Sequence, residues 1–150
     1  MTGLSPIHSA PVEQSATAVL SVETAGEGFF EITRDVAGFL EKINARDGAL
    51  LLYLRHTSAS LVIQENADPA VLRDMERFVD RVAPEKATYE HDTEGPDDMP
   101  AHLRSSITRT SESIPVTRGA LALGVWQALY LWEHRRSGQR REVVVHVAGE

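Results

Sequence analysis

The sequence predicts an α+β domain, and three observations carry that prediction. Strand-length runs rich in Leu, Val, Ile and Tyr are interleaved with two or three stretches of helical apolar spacing. The chain closes on a run of strands instead of alternating strand and helix, and it holds no internal repeat or low-complexity linker. Together these favour a compact single domain with antiparallel β-sheet and two or three helices over a doubly wound parallel sheet. Its 150 residues, 42% hydrophobic and 25% charged, fit one such domain. At that length folding hides roughly 68–70% of the extended chain's surface, enough for a core without staples. The absence of cysteine removes disulfides and thiolate zinc sites, so any metal must sit on nitrogen and oxygen ligands.

Residues 1–14, with Pro6, Pro11 and no sustained periodicity, read as a loose lead-in to a domain spanning 15–150. Thr17 to Thr24 reads as a strand broken by Gly26-Glu27-Gly28. From Thr33 the spacing turns helical: Val36, Leu40 and Ile43 share a face, Thr33 is placed to cap, and Gly48 closes the unit. Residues 49–55 and 57–63 are strand-like, which puts His56 at a strand end. Asp68-Pro69 starts a helix, because Asp can take up free amides and Pro is tolerated in the first turn. That helix runs to about Val82 with Val71, Met75, Phe78, Val79 and Val82 inward, and Pro84 stops it. A short helix from Asp97 or Asp98 holds Pro100 in its first turn and carries His102, Arg104 and Ser105. Strands follow at Ser111–Val116 and Ala120–Leu123, on either side of a turn at 117–119. The last two, Trp126–Arg135 and Glu142–Val147, are joined through Ser137-Gly138 as an antiparallel hairpin would require.

A net charge of −7 repels nucleic-acid phosphates and anionic membrane surfaces, so neither is expected as a partner. The one dense basic run, residues 135–141, reads as a hairpin tip. No stretch approaches the roughly 20 apolar residues needed to span a bilayer, and the N-terminus lacks the pattern of a secretory leader; a cytoplasmic location is expected. There is no Gly-Lys-Ser/Thr phosphate loop, no Gly-x-Ser-x-Gly elbow and no Rossmann glycine triplet, which removes the common nucleotide and hydrolase patterns.

Three histidines stand out. His56 lies in Arg55-His56-Thr57-Ser58, and His91 and His102 bracket a segment in which five of the nine residues 90–98 are acidic. Neutral imidazole is the commonest protein ligand for transition metals and the usual proton carrier near neutral pH. Three histidines around an open position make a catalytic zinc arrangement, whereas clustered carboxylates with water suit magnesium. The spacings form no compact metal motif, so a shared site depends on tertiary folding, and a solvated acidic loop ending in a helix cap is the alternative. Glu65 and Asn66 sit on the strand-to-helix turn, where a side chain can reach a ligand, and Asp68 is most simply the helix cap. Trp126 is expected in the core with Gln127 facing the other way, and His8, His134 and His146 are assigned to surface or sheet packing.

The blocks Arg55-His56-Thr57-Ser58-Ala59-Ser60, Gln64-Glu65-Asn66-Ala67-Asp68-Pro69, Tyr89-Glu90-His91, Asp97-Asp98-Met99-Pro100-Ala101-His102, Ile114-Pro115-Val116 and Leu123-Gly124-Val125-Trp126-Gln127 occur collinearly. In that order they resemble the YjbQ family, described as secondary thiamine-phosphate synthases, from about Gly28 through Glu150. The resemblance implies a YjbQ-like fold, assembly as a homotrimer, and a polar pocket built from His56, Thr57, Ser58, Glu65, Asn66, Asp68, His91 and His102. Val125 stands where the family pattern has Thr, which removes a hydroxyl there.

The implied activity is a transferase reaction on phosphorylated small molecules: a pyrimidine pyrophosphate and a thiazole phosphate give thiamine phosphate and pyrophosphate. It would need a cation or arginines against the leaving group and a pocket that excludes water. Arg55 and Arg104 are expected at phosphate, Asp97-Asp98 at magnesium, and Gln127 with Thr57 and Ser58 at the substrate. His91, His102 and Asn66 are expected to be catalytic, with His56, His91 and His102 on a divalent metal, zinc or magnesium. A trimeric metal- or anion-binding protein without catalysis, and a zinc-hydroxide hydrolase, are the other readings.

Overall fold

The architecture follows from which strands are apolar on one face and which on both. The computed structural model describes residues 2–150. Its elements are β1 (Gln14–Glu23), β2 (Gly28–Glu31), α1 (Thr33–Lys42), β3 (Gly48–Leu54), β4 (Ala59–Glu65), α2 (Pro69–Val82), α3 (Asp98–Ile107), β5 (Ser111–Thr117), β6 (Ala120–Leu121), β7 (Gln127–Glu133) and β8 (Arg140–Gly149). They build two antiparallel sheets, β1-β8-β3-β5-β6 and β2-β7-β4. In the larger sheet β3, β5 and β8 alternate buried and outward side chains, as strands with one solvated face must. Register sets Leu50 against Val147, Leu52 against Val145 and Leu54 against Val143. These six side chains join Val36 and Leu40 of α1, Leu61 of β4 and Leu129 and Leu131 of β7 in one core. Burying each such side chain contributes about 1.5–3 kcal/mol.

β7 is central in its sheet and buried along both faces beyond Gln127. Leu129 and Leu131 enter the core, while Trp132 on the opposite face stacks on Phe29 of β2 with ring centroids 4.5 Å apart. That β2 strand is absent from the sequence expectation, which read its opening Gly28 only as a breaker. Gly28 has φ 140° and leads Phe29 and Phe30 into register with Trp132 and Leu131.

The expected β7–β8 hairpin does not form: the two strands lie in different sheets, and residues 134–139 carry the chain between them. Two glycines let this crossing hug the end of β1. A Cβ on Gly138 would stand 2.5 Å from the Thr24 carbonyl oxygen, and one on Gly26 2.5 Å from that of Arg136. β7 needs partners on both edges for a doubly apolar strand, and β4 and β2 provide them. β8 instead matches its alternating face to β3.

Helix ends show the same competition. Asp68 caps α2 as expected, its Oδ1 accepting from the Ala70 amide at 2.9 Å. Thr33 is not a cap: its hydroxyl accepts from the Leu129 amide at 2.9 Å and ties α1 to β7. α1 ends at Lys42, with Asn44 in the left-handed region, and Gly48 opens β3 instead of closing the helix. On α2 only Val79 of the predicted inner face is buried; Phe78 and Val82 are more than half exposed.

Candidate functional site

Asp98 opens α3 and His102 follows one turn later, so the i, i+4 spacing stacks both side chains on one helix face. His91 reaches the same face from the preceding loop. Its Nε2 lies 2.8 Å from Asp98 Oδ2, and His102 Nε2 lies 3.3 Å from the same oxygen. The two rings meet edge to face with centroids 5.7 Å apart. One ligand atom from each of His91, Asp98 and His102 falls within 4.8 Å of the others. Asp98 is 3% exposed by side chain, against 46% for His91 and 32% for His102, so the group has a buried base and an open mouth.

Arg135 sets the carboxylate's orientation. Its Nη1 donates to Asp98 Oδ1 at 2.7 Å, its Nε to Asp97 Oδ2 at 2.9 Å and its Nη2 to the Glu94 carbonyl at 3.1 Å. This planar fork leaves Oδ2 of Asp98 for the imidazoles. Burial by itself would raise the Asp98 carboxyl; the His91 hydrogen bond and the His102 and Arg135 charges outweigh it and hold the group below the usual carboxylate range. Asp97 is likewise held low, because bonds from the Arg136 amide and Arg135 outweigh its burial. Its Oδ2 accepts from Arg135 and from the Arg136 amide, and Asp97 stands outside the group that His91, Asp98 and His102 form.

The His102 ring has a defined polarity. Its Nδ1 is 3.1 Å from the Thr57 carbonyl oxygen, which can only accept, so Nδ1 carries hydrogen. Nε2 then faces a carboxylate oxygen. Two lone pairs cannot point at each other at 3.3 Å, so that position calls for a proton or another cation. A backbone carbonyl on one imidazole nitrogen is the usual outer-shell support for a metal on the other. The donor set therefore fits a divalent metal, with His91, Asp98 and His102 as ligands.

Other expected residues divide into three groups. Thr57 and His56 adjoin the histidine pair, and His56 shares a groove with His102, Arg55 and Ser105. His56 stands outside the three-ligand group: its Nε2 accepts from the Glu142 amide at 2.8 Å, and burial followed by the Arg141 charge lowers its pKa. Arg55 pairs with Glu142 at 2.5 Å.

Ser58 and Arg104 belong to the interior. Ser58 Oγ accepts from Arg141 Nη2 at 2.9 Å in a buried network where Arg141 also grips Glu133, and Thr24 donates to that carboxylate at 2.9 Å. Arg104 is buried against Glu27, Asp80 and the Ala83 carbonyl. Both side chains are engaged within the fold and stand outside the His91–Asp98–His102 group.

Glu65, Asn66, Asp68 and Gln127 form the third group, at the other end of β4. Six residue steps of strand, about 20 Å, separate Ala59 from Glu65. Gln127 pairs with Glu65 in register and closes its own loop, accepting from the Gly124 amide at 2.8 Å. Glu65 Oε2 accepts from the Asp68 amide at 3.3 Å. Trp126, expected in the core, is 62% exposed beside them, its carbonyl accepting from the Asn66 amide. One chain thus does not gather the predicted pocket.

His8, His134 and His146 stay outside the group: His8 faces Asp47, His146 bonds Thr17, and His134 is buried on Ser60. Sequence reasoning missed the joining of Asp98 to the histidines and the role of Arg135. The Asp98-x-x-x-His102 spacing was the available signal for the first; nothing local marks the second.

Two antiparallel sheets with three helices and an Asp–His cluster at the mouth of α3 define the class. The model of the family described as UPF0047 protein YjbQ-like matches residues 18–150, and the chain belongs to that family. A UPF0047 protein of Synechocystis is 45% identical over 96% of this chain and 99% of its own length. The UPF0047 protein YjbQ of Escherichia coli O157:H7 is 42% identical over 87% and 96%. Among solved structures, an uncharacterized conserved protein of the yjbq/upf0047 family from Clostridium acetobutylicum superposes with a TM-score of 0.80 at 33% identity, covering 87% of this chain and 98% of its own. A YbjQ-like protein of unknown function from Sulfolobus solfataricus, 21% identical over 91% and 100%, shares the fold with a TM-score of 0.81.

Proposed function

We propose that this chain is a metal-dependent transferase acting on phosphorylated small molecules, of the thiamine-phosphate synthase type. The observation that carries the reading is the convergence of His91, Asp98 and His102 with an open side. A bound divalent ion would neutralise the charge of a departing pyrophosphate. Two imidazoles and a carboxylate with an open position favour zinc over magnesium, which prefers oxygen ligands. Arg135 orients Asp98, the Thr57 carbonyl fixes the His102 ring, and Arg55 and Thr110 line the adjoining groove where phosphate would lie. No helix among the described residues is long and apolar enough to cross a membrane.

Assembly as a trimer belongs to the same proposal, because Asn66 can contribute to the histidine site only from a neighbouring copy. A second reading, metal-assisted hydrolysis, is favoured by the same open position, where an activated water would fit. The test combines metal analysis, light scattering and single-turnover assay of thiamine-phosphate formation. The proposal expects about one zinc per chain, three times the 16.5 kDa mass and slow product formation that His91→Ala and His102→Ala abolish. Wild-type turnover in both variants would sink the catalytic assignment, and hydrolysis without transfer would move it to the second reading.

A further inference from the structure

α2 also turns charge toward the smaller sheet, at a cavity that shares no lining residue with the His91–Asp98–His102 group. Glu27, Glu76, Asp80, Arg104, Trp132 and His134 enclose much of its wall, and it holds about 180 Å³. Arg104 binds Asp80 at 3.0 Å and Glu27 at 3.4 Å, yet its Nε–H is buried with no acceptor among the described residues. Glu76 has no cationic partner within ion-pair distance among the described residues. Glu133, also on this wall, is already held by Arg141. Three of the lining carboxylates therefore share one guanidinium, and both Glu27 and Glu76 are pushed up by burial, with Arg104 opposing the rise and Asp80 adding to it.

The imbalance selects the ligand. An anion would meet net negative walls and an arginine already engaged. A metal ion would need ligand atoms drawn close together, and among the described residues only the His91, Asp98 and His102 atoms converge that way. A larger cation can reach carboxylates that stand further apart. Next to this cavity, sharing Val79 and Trp132 with it, runs an apolar cleft lined by Val71, Met75, Phe78 and Ile107. An indole at the junction suits a cationic head group joined to an apolar body.

We propose that this cavity binds a small organic cation, a protonated amine or amidine on an apolar or aromatic body. Its N–H groups go to Glu76 and Glu27, an acceptor atom goes to the unpartnered Arg104 Nε–H, and its carbon part lies against Trp132 and Val79. Neutralising the surplus carboxylates on binding gives the site its preference for charge over shape.

A matched pair of probes tests that preference: para-methoxybenzamidine and its uncharged isostere para-methoxybenzamide, titrated into the full chain by calorimetry. Saturable binding of the amidine is expected, with the amide at least about tenfold weaker. Glu76→Gln should weaken the amidine at least about tenfold while the melting temperature holds, since Glu76 makes no ion pair that the fold would lose. The His91→Ala/His102→Ala double variant should bind the amidine as wild type does. No saturation up to about 10 mM amidine, which would reveal millimolar affinity, overturns the proposal. Equal binding of the amide, an unaffected Glu76→Gln variant, or loss of binding in the double histidine variant overturns it as well.

Discussion

The two ends of β4 are built from similar polar residues and do different things. At the Ala59 end, His91, Asp98 and His102 converge because a helix start and an arginine fork fix Asp98, a backbone carbonyl fixes His102, and His91 bonds Asp98 from the preceding loop. At the Glu65 end, Glu65, Asp68 and Gln127 spend their side chains on local backbone amides, capping α2 and closing the 124–127 loop. The side chains of Asn66 and the exposed Trp126 make no such bond among the described residues. Polar residues in a turn become a site when distant elements aim them at one point. Where neighbouring amides are unsatisfied, the same residue types satisfy them first.

The largest difference between the ends should appear in metal binding and turnover. Asp98→Asn keeps shape while removing the charge that both imidazoles face, so zinc affinity should fall about 10- to 100-fold or more, and turnover with it. Asn66→Ala should leave zinc affinity unchanged. If the trimer brings Asn66 to a neighbour's histidines, its loss still lowers turnover. Mixing inactive Asn66→Ala with inactive His102→Ala chains should then restore part of the activity, by forming boundaries that hold both wild-type residues. Zinc analysis on each variant and assay of the mixture decide the matter; no recovery on mixing would leave the Asn66 end structural.

Next in size is stability at the histidine end, where Arg141 of β8 and Glu133 of β7 pin one sheet to the other, with Glu133 fully buried. Arg141→Met strands that carboxylate and should cost about 3–5 kcal/mol in urea unfolding. Adding Glu133→Leu should recover part of the loss, because the cost lies in the orphaned charge more than in the missing attraction. A double variant less stable than the single would show that the pair itself holds the sheets.

Much of this fold is legible in the sequence because its signals are local. Apolar runs of strand length mark β3 and β4; Asp68-Pro69 marks α2; Asp98 and Pro100 mark α3. What the sequence hides is set by tertiary pairing. Gly28 breaks a pattern locally yet starts a strand once Trp132 offers Phe29 a stacking partner. Ser137-Gly138 has hairpin chemistry, but β7 is apolar on both faces and pairs elsewhere. For the site, residue types pointed to His91 and His102, and helix spacing could have added Asp98. Arg104 and Ser58 look like open phosphate partners in the sequence, whereas burial pairs them with Asp80 and Arg141.

A smaller effect also belongs to the Ala59 end, where His134 is buried on Ser60. Burial, and then the Arg104 and Arg141 charges, lower its pKa to about 3. The folded chain keeps this ring neutral while the unfolded chain binds a proton below its ordinary value, so acid favours unfolding. Stability should fall as pH drops from about 6.5 toward 3, at about 1.4 kcal/mol per pH unit from this ring. His134→Gln keeps a hydrogen-bonding group without the titration. Between pH 7 and 5 the wild type should lose about 2 kcal/mol more than the variant in urea melts. Parallel pH profiles would remove His134 as the cause.

The smallest effect tests the Glu65 end directly. Asp68 is exposed, accepts one amide bond from Ala70 and precedes a proline already suited to the first turn of α2. A cap of that kind is worth about 0.5–2 kcal/mol, so Asp68→Ala should lower stability by that amount without altering zinc affinity or turnover. Asp68→Asn and Asp68→Ser should recover most of the loss, since both present an oxygen to the same amide. A role in substrate binding predicts another pattern: unchanged melting, raised KM, and no rescue by Ser. Measuring the three variants by thermal melt and steady-state assay therefore decides whether this carboxylate serves the helix or the ligand. A binding result would move Asp68, and with it the Glu65 end of the strand, into the site.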